Sequence, residues 1–557
     1  MDNWWRKAVV YQIYPKSFKD TNGDGIGDIP GIIEKLDYLN NLGVRAIWLT
    51  PIYKSPQKDN GYDISDYYNI DEMFGNSNDF EMLLDEAHKR NIKIIMDVVV
   101  NHTSTEHKWF KEAIENPDSK YRDYYIIKKG TKNTPPNNWV SMFGGSAWER
   151  IGDTNEYYLH LFDVSQADLN WENEELRREV YDMTKYWMEK GVDGFRLDVI
   201  NLISKDQRFI NDDENAFTKG KKFYINGPRI HEYLKEMNME VFSKYNSTTV
   251  GETMSVTTEI AIDYTKPENK ELNMIFAMNH LKCDYLNGDK WTYKPIELKE
   301  LRNILTNWQY ELNKSGAWNS LFWSNHDQPR AVSRFADDKS YRVESAKMLA
   351  TTLHMLKGTP YIYQGEELGM TNPNYDKIED YNDIETLNVY KERLSNGVPK
   401  EKIMDGIKRQ SRDNAREPMH WNESEQAGFT TGKPWMNISR SYKKINVKRS
   451  LEDENSVFYH YKNLISLRNN FDIVTEGEYR LIDEESSKVW CYIRKYKKEI
   501  WLIVSNFFKD EVRYEIKDEE ILSKSICKII LSNYNDSSKN FKKIHLRPYE
   551  SIIYKLG

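Results

Sequence analysis

The sequence predicts a closed (β/α)₈ barrel with a subdomain inserted after the third strand and a small antiparallel β domain at its end. Short apolar strands alternate with amphipathic helices over most of the 557 residues, and this alternation is interrupted once and later replaced by strands alone. We therefore divide the chain into a barrel (1–103 and 172–479), an inserted subdomain (104–171) and a C-terminal β-sandwich domain (480–557). A chain of this length can bury a large core in more than one domain.

The first three strands are apolar along most of their length, as parallel strands buried on both faces tend to be. They are VVYQIYP (9–15), AIWLTP (46–51) and IKIIMDVVVNH (92–102). The stretches between them have the helical period. In the first such stretch one face carries Ile32, Leu36, Leu39 and Leu42, and Gly43 ends the helix.

Residues 104–171 break this regularity, because they are rich in Trp, Asn, Gly and Pro and show no long period. A helix with Leu176, Val180, Met183 and Trp187 in register then resumes the alternation. Five further strands follow: DGFRLDVI (193–200), TTVGET (248–253), NMIFAM (273–278), SLFWSNHD (320–327) and TPYIYQGEELG (359–369). The total of eight βα units is the count of a closed barrel. After residue 480, apolar and polar residues alternate without helices, which predicts antiparallel strands.

Composition excludes several classes of function. The net charge of −8 argues against nucleic acid and against an anionic membrane surface as partners. Cys283, Cys491 and Cys527 are far apart and fit neither a metal site nor a disulfide framework. The first residues lack the apolar core of a signal peptide, and no apolar run approaches the roughly 18 residues that span a bilayer. We expect a cytoplasmic monomer that acts on a small molecule.

Polar residues crowd the carboxyl ends of the predicted strands. They are Asp97, Asn101, His102, Arg196, Asp198, Glu252, Asn325, His326 and Asp327. The catalytic face of a barrel is built from these strand ends and the loops after them, so the side chains should converge on one cleft. A single polar residue at a strand end could simply face solvent. So many polar residues at matching positions of several strands are not explained in this way.

This set of groups suits glycoside hydrolysis, which needs two carboxyl groups on either side of one bond. Arg196 and Asp198 are two residues apart on one strand face, so the arginine should keep the aspartate ionised and aimed as a nucleophile. Glu252 ends an apolar strand, where desolvation favours the protonated form that a general acid requires. Asp327 could stabilise positive charge at the anomeric carbon or bind ring hydroxyls.

The stretch DTNGDGIGD (20–28) suggests a cation site. It offers oxygen atoms at alternate positions, from the side chains of Asp20, Asn22, Asp24 and Asp28 and from the carbonyl of Ile26. Hard cations such as calcium prefer oxygen ligands, and the glycines permit tight winding. The alternative is a glycine-rich turn without a metal.

Four stretches resemble the signature regions of the α-amylase family of glycoside hydrolases. They are DVVVNH (97–102), GFRLDVIN (194–201), VGET (250–253) and WSNHDQP (323–329), and the similarity extends over nearly the whole chain. The resemblance implies retention of the α-configuration through a covalent glucosyl intermediate, without a catalytic cofactor. It implies Asp198 as nucleophile, Glu252 as acid/base and Asp327 as transition-state stabiliser. It also implies a structural calcium in the 20–28 loop, Tyr62 as the platform under glucose, and Asp59, His102, Arg196 and His326 as hydroxyl-binding residues.

SRDNAREPMHW (411–421) resembles the oligo-1,6-glucosidase branch of this family. In that branch an arginine of this stretch pairs with the counterpart of Asp59 and closes the pocket behind one glucose. Either Arg412 or Arg416 could take this role, and we favour Arg412. A closed pocket implies an exo-acting enzyme, and Val199 is associated in this branch with linkages other than α-1,4. The family usually has Thr and Gln where this chain has Glu417 and His420.

The identity of the second sugar is the remaining question. NHTSTEHKWF (101–110), HLFDVSQADLNWENEE (160–175), INLISKDQRF (200–209) and HLKCDYLNGDKW (280–291) resemble trehalose-6-phosphate hydrolases more than isomaltose-cleaving enzymes. A phosphate approaching a protein of net charge −8 needs a local cationic patch, which Lys282 and Lys290 could provide. Gln364 is a further predicted pocket contact. Asn279 stands where that group has histidine.

We expect hydrolysis of trehalose 6-phosphate. Three alternatives remain: an oligo-1,6-glucosidase acting on isomaltose, a sucrose isomerase or glucosyl transferase, and a non-catalytic barrel relative. The retained catalytic carboxylates and the lack of a membrane helix in the sequence argue against the last of these.

Overall fold

The computed structural model describes residues 3–216 and 218–557, and eight parallel strands in it form the predicted barrel. They are β1 (Val10–Ile13), β2 (Ala46–Leu49), β3 (Lys93–Val98), β4 (Gly194–Leu197), β5 (Thr248–Thr253), β6 (Met274–Ala277), β7 (Ser320–Leu321) and β8 (Thr359–Tyr363). Strands β1 to β6 pair in parallel in chain order, β7 pairs with β8, and β8 returns to β1 with Tyr361 opposite Val10. The predicted fold class is therefore confirmed.

The barrel closes at the seam between β6 and β7, where the Ser320 hydroxyl donates to the carbonyl of Ile275 at 2.6 Å. The prediction for β7 was too long, since it extended the strand to residue 327. The strand ends at Leu321, and the Gln328 N–H donates to the Asn325 carbonyl at 3.2 Å. The polar residues of this segment therefore lie on a turn at the rim of the barrel.

Helices cover the outside of the barrel. The longer ones are Ile29–Glu34, Leu36–Leu42, Ser77–Lys89, Glu174–Glu189, Ile230–Glu240, Thr258–Thr265, Leu298–Ser315, Arg342–His354, Ile384–Ser395, Lys400–Gln410 and Val457–Asn470. Local sequence sets their ends. Asn76 and Asp79 form a reciprocal capping box at the start of Ser77–Lys89, and Gly43, with φ of 101°, ends Leu36–Leu42.

The inserted segment forms its own small sheet and a second strand pair. The sheet joins Ile127–Lys129, Glu156–Leu159 and Trp148–Arg150, and the pair joins His102–Ser104 to Gln166–Asp168. Helix Lys108–Glu115 lies in the same segment. The buried Lys205 ammonium joins this subdomain to the barrel, because it lies 2.8 Å from Asp168 Oδ1 and 2.7 Å from Asn101 Oδ1.

The C-terminal domain is an antiparallel β structure that starts at Glu478. Its five-stranded sheet has the order Glu478–Leu481, Val489–Tyr496, Glu499–Asn506, Ser551–Leu556, Cys527–Ser532, and Val512–Glu515 pairs with Lys543–Leu546. The domain packs on helix Arg342–His354, where the Tyr492 hydroxyl donates to the Thr352 carbonyl at 2.7 Å. Among the described residues, no helix combines the length and apolarity that crossing a membrane requires.

Arg302 is the main polar link between helix Leu298–Ser315 and the C-terminal domain. Its buried guanidinium donates to the carbonyls of Ser486 at 2.7 Å and Val489 at 3.1 Å, and also to that of Glu484.

We expect Arg302→Met to lower the free energy of unfolding by about 3 kcal/mol, because buried carbonyls lose their donors. Lys299→Met is the matched control on the same helix: its ammonium is about half exposed and pairs with the exposed Glu485 at 2.9 Å. Calorimetry of both variants tests this. Equal melting temperatures for the two would show that Arg302 does not secure this interface.

Candidate active site

The buried guanidinium of Arg196 is the centre of the site. Its side chain points into the barrel from β4, and the parallel register places it beside Asp97 of β3. The guanidinium donates to Asp97 Oδ1 and Asp198 Oδ1 at 2.6 Å each, and to Glu252 Oε2 at 2.5 Å. The convergence predicted from the strand ends is thus present, with one cation serving three carboxyl groups.

The excess of three carboxyl groups over one guanidinium affects the protonation of the carboxyl groups. Burial, together with the charges of Glu252 and Asp97, raises the pKa of Asp198 well above its usual value, although Arg196 opposes the shift. Burial likewise raises the pKa of Asp97 to about 6 against the influence of Arg196. Three buried carboxylates around a single cation repel each other, so the cluster retains a proton near neutral pH.

Asp198 lies on a strained turn immediately after β4, because the strand ends at Leu197 and not at residue 200 as predicted. Its N–H donates to the Val98 carbonyl at 2.9 Å. The next residue, Val199, has φ of 36° and ψ of 40°, a left-handed conformation that a β-branched residue adopts only at a cost. The strand, the turn and the bond to Arg196 together fix the direction of the Asp198 carboxylate.

Asp327 faces the cluster from the rim after β7 and has its own cations. Arg416 Nη2 lies 2.6 Å from Asp327 Oδ1, and Arg412 Nη1 lies 3.6 Å from the same atom. Burial alone would raise the pKa of Asp327, but His326, Arg412 and Arg416 together hold it well below its usual range. Asp327 is therefore an ionised carboxylate throughout the physiological range, in contrast to the Arg196 cluster.

Two neutral imidazoles and a tyrosine line the inner end of the cleft. The rings of Tyr62 and His326 are nearly parallel with centroids 5.3 Å apart, and the Tyr62 hydroxyl lies 2.7 Å from His326 Nε2. His102 Nε2 lies 3.1 Å from the Tyr62 carbonyl. Burial lowers the pKa of His326 to about 3 and that of His102 to about 4. Both rings are neutral near pH 7 and can exchange hydrogen bonds with sugar hydroxyls.

Arg412, the favoured arginine, lies against Asp59, with Nη2 3.2 Å from Oδ1. Arg416 instead donates to Asp327 and to the His326 carbonyl. Burial raises the pKa of Asp59 to about 6, although both arginines oppose the shift. The pair of Arg412 and Asp59 forms a wall at one end of the cleft.

Two further residues hold this wall, and sequence reasoning missed both. Asp383 Oδ1 lies 2.6 Å from Arg412 Nη2 and 3.4 Å from Arg416 Nη1, and its Oδ2 caps helix Ile384–Ser395. Gln166 of the inserted subdomain donates to Asp59 Oδ2 at 3.1 Å. The helix cap signal at Asp383 was present in the sequence, but nothing in the sequence showed that the same carboxylate faces two arginines.

Glu417 and His420, which stand where the family usually has Thr and Gln, form a buried pair. His420 Nε2 lies 3.2 Å from Glu417 Oε1, which also accepts from the Ser439 N–H. Burial alone would raise the pKa of Glu417, but His420 and this N–H lower it. The buried Glu417 carboxylate thus has His420 as its charged partner.

Gln364 does not contact the pocket, so that prediction was wrong. Its side chain is fully buried; Oε1 accepts from the Tyr14 N–H at 2.8 Å and Nε2 donates to the Ser17 carbonyl at 3.3 Å. Both polar atoms are occupied by backbone groups. Gln364 therefore ties the end of β8 to the segment after β1.

The predicted phosphate-binding lysines differ in their surroundings. Lys290 lies 2.6 Å from Glu385, so its charge is compensated. Lys282 is exposed, and no acidic group of the described chain lies within 4.0 Å of it. Lys221, which the sequence analysis missed, also lacks an acidic partner among these residues. Burial and the nearby charge of Lys282 lower the pKa of Lys221.

The carboxylates of the 20–28 loop serve mainly as hydrogen-bond acceptors. Asp20 accepts from the Gly23 and Gly25 N–H groups at 2.8 Å each, and Asp28 caps helix Ile29–Glu34 through the Gly31 N–H at 2.7 Å. Within the described parts of the chain, no group of three or more acidic, histidine or cysteine side chains is positioned to hold a metal. The oxygen donors of this loop suit calcium chemically, and calcium binding here stays a prediction.

The pKa of Asp59 leads to a pH prediction. A carboxylate with a pKa of about 6 loses its charge, and hence its pairing with Arg412, as the pH falls through that value. We expect the KM for a neutral α-glucoside to rise as the pH is lowered below 6, approaching about tenfold per pH unit. Asp59→Asn should have a high KM that does not vary over this range. A variant that retained the pH dependence of KM would assign the titration to another group.

Comparisons with known proteins agree with this geometry. Residues 12–477 match the family model "Alpha amylase, catalytic domain", and residues 489–553 match the "Alpha-amylase SusG C-terminal domain". Trehalose-6-phosphate hydrolase of Bacillus subtilis is 55% identical over 99% of this chain and 98% of its own. Oligo-1,6-glucosidase of Bacillus cereus is 52% identical over 99% of each chain.

The crystal structure of trehalose-6-phosphate hydrolase from Bacillus licheniformis is 56% identical, covers 100% of both chains and superposes with a TM-score of 0.95. The predicted resemblance is confirmed over both the catalytic and the C-terminal parts. This chain belongs to the α-amylase family of glycoside hydrolases.

Proposed function

We propose that this chain is an exo-acting, retaining α-glucosidase that hydrolyses trehalose 6-phosphate to glucose and glucose 6-phosphate. The observation that carries the choice of substrate is the pair of uncompensated cations, Lys221 and Lys282, on the Glu252 side of the cleft. Relatives of nearly equal similarity are named for trehalose 6-phosphate and for α-1,6-linked sugars, so similarity alone does not choose between them.

The Arg412–Asp59 wall accounts for exo action. With Tyr62 and His326 on one side and the wall at the end, the inner cleft accommodates a single glucose, whose anomeric carbon would face Asp198 and Glu252. One Asp198 oxygen attacks the anomeric carbon while Glu252 gives its proton to the departing glycosidic oxygen. Water then attacks the glucosyl ester, Glu252 takes its proton, and Asp198 is released.

Each charged group around the sugar has a distinct part in this scheme. Glu252 serves as the acid/base; its side chain is 12% exposed, the most exposed of the three carboxyl groups around Arg196. Arg196 stabilises Asp198 as it is released from the ester. The permanently ionised Asp327 lies where positive charge develops in the oxocarbenium-like transition state, and fixed charges of this kind lower the barrier without reorganisation.

The phosphate would be held by the two lysines beyond Glu252. Lys221 shares a surface depression with Ser255, three residues after Glu252. The turn Asn279–Lys282 is tied to the same loop, because Asn279 Nδ2 donates to the Val256 carbonyl at 3.2 Å. Two ammonium groups without a carboxylate repel each other, and a phosphate dianion would relieve this repulsion.

A second candidate function is an oligo-1,6-glucosidase. Lys290 and Glu385 form a compensated pair, and Glu385 also lies 3.7 Å from Arg412 Nε. Such a neutral, hydrogen-bonding pair at the edge of the pocket suits the hydroxyls of an uncharged second sugar.

The deciding experiment compares kcat/KM for trehalose 6-phosphate and isomaltose on one preparation. We expect at least a hundredfold preference for the phosphate ester, equivalent to about 2.7 kcal/mol at the transition state. An Asp198→Asn preparation provides the background, because it lacks the nucleophile. A preference for isomaltose would make the chain an oligo-1,6-glucosidase.

The role of the lysine pair is tested by charge reversal. Lys221→Glu and Lys282→Glu should each raise the KM for trehalose 6-phosphate at least tenfold and leave isomaltose kinetics unchanged. Lys222→Glu is the matched control, since Lys222 is exposed and pairs with Asp212 instead. If trehalose 6-phosphate and isomaltose were affected alike, phosphate binding by this pair would be excluded.

We also retain calcium in the 20–28 loop as a proposal, supported by the spacing of its oxygen atoms. A chelator should then lower the melting temperature by several degrees, as loss of a ligand bound only to the folded state does. Asp24→Ala, which removes one oxygen ligand from an exposed position, should abolish the effect of the chelator. No change with the chelator would leave the loop as a glycine-rich turn.

Two properties of the whole molecule belong to the same proposal. We infer a cytoplasmic location, which agrees with three unpaired cysteines of which Cys283 and Cys491 are buried. We infer that the protein acts as a monomer, because all side chains of the proposed mechanism come from one chain.

A further inference from the structure

A large cavity lies at the end of the barrel opposite the catalytic cleft. It has a volume of about 600 Å³ and is lined by residues that come just before β1, β5, β6 and β7, such as Arg6, Ser247, Asn273 and Trp318. A second cavity of about 590 Å³ adjoins it and shares Asn3 and Arg6. Volumes of this size are typical of small-molecule sites.

The lining of these cavities is strongly basic, although the whole chain carries a net charge of −8. The lining cations are Arg6, Lys7, Arg45, Lys93, Lys235, Lys266 and Lys270, and the lining carboxylates are Glu271 and Glu476. Four of the lysines have carboxylates nearby, including Lys235, 3.6 Å from Glu271, and Lys266, 3.8 Å from Asp263. Within the described chain, Arg6, Arg45 and Lys270 have no carboxylate within 4.0 Å.

Arg6 is the group best placed to bind an anion. Its guanidinium carbon lies 5.3 Å from the ring centre of Trp5 and 4.8 Å from that of Trp318, so two buried aromatic rings hold it. The guanidinium donates no hydrogen bond to any residue that the structure describes, and its Nε is buried without an acceptor. A stacked guanidinium with free donors matches the geometry of a phosphate group.

The other walls suit a polar body attached to that phosphate. Ser243, Ser247 and Asn269 offer side-chain oxygens beside Arg6, whereas Phe242 and Leu272 provide apolar surface. A purely apolar ligand would leave the cations unpaired.

We propose that this cavity, which we call the Arg6 pocket, is a binding site for a small phosphate monoester with a polar body, of the hexose phosphate class. Arg6 and Lys270 hold the phosphate, and the serine and asparagine oxygens accept hydrogen bonds from hydroxyls. The site is independent of the catalytic cleft, so it does not rest on the proposed substrate. A phosphorylated sugar would be sensed at one end of the barrel while glycosides are cleaved at the other.

Isothermal titration with glucose 6-phosphate tests the proposal. We expect binding that Arg6→Gln and Lys270→Gln each weaken at least tenfold, and that Lys282→Glu does not affect. Lys498→Gln, an exposed lysine of the C-terminal domain, controls for the loss of one surface charge. Activity on 4-nitrophenyl α-glucoside should be unchanged in both pocket variants, which shows that they are folded.

The ligand class is tested with inorganic phosphate and glucose as separate titrants. Glucose should not bind at the Arg6 pocket, and inorganic phosphate should bind at least tenfold more weakly than the ester. Equal affinities of phosphate and ester would overturn the hexose phosphate assignment. Binding that survives in Arg6→Gln and Lys270→Gln but is lost in Lys282→Glu would place glucose 6-phosphate only in the catalytic cleft and overturn the pocket itself. Failure of the proposed function would instead appear as an unchanged KM for trehalose 6-phosphate in Lys282→Glu, while Arg6→Gln still weakened the binding of glucose 6-phosphate.

Discussion

The structure depends on one buried cation. Arg196 lies inside the barrel with a side chain only 1% exposed, and three strands bring Asp97, Asp198 and Glu252 to within 2.6 Å of its nitrogens. Removing such a partner would leave buried carboxylates uncompensated, which is among the costliest changes in a protein interior. The same ratio of three carboxyl groups to one guanidinium raises the pKa of Asp97 and Asp198, so the cluster retains a proton near neutral pH.

A second charge cluster has two cations for its three carboxylates and a different task. Arg412 and Arg416 share Asp59, Asp327 and Asp383, so Asp327 stays ionised while the wall behind the glucose stays rigid. The two clusters meet across a cleft bounded by neutral imidazoles. One cluster retains a proton and the other holds the ionised Asp327, so the acid and the electrostatic stabiliser belong to separate charge clusters.

Much of this was predictable from sequence, for identifiable reasons. The eight strands, the insertion and the catalytic carboxylates follow from periodicity and from the rule that barrel strands present their carboxyl ends to one face. Contacts between side chains that are far apart in the sequence were not predictable. The sequence around Asp383 predicts only a helix cap, and that around Lys221 only a solvated lysine; their neighbours in the pocket are known only from the fold. The prediction that Gln364 contacts the pocket was wrong for a different reason. Its position at a strand end matched the pattern of pocket residues, but both of its polar side-chain atoms are hydrogen-bonded to backbone groups. The end of β7 was also predicted too late, because polar residues follow one another in the same way in a turn and at the end of a short strand.

The buried bridge made by Lys205 has a consequence for assembly. Lys205 is seven residues after Asp198, and its ammonium joins Asp168 of the inserted subdomain to Asn101, three residues after β3. The same subdomain supplies Gln166 to Asp59. Barrel strands alone therefore cannot complete the sugar pocket, because the docked insertion supplies Gln166 to Asp59 and Asp168 to the buried Lys205. A chain whose insertion is undocked would lack part of the wall behind the glucose.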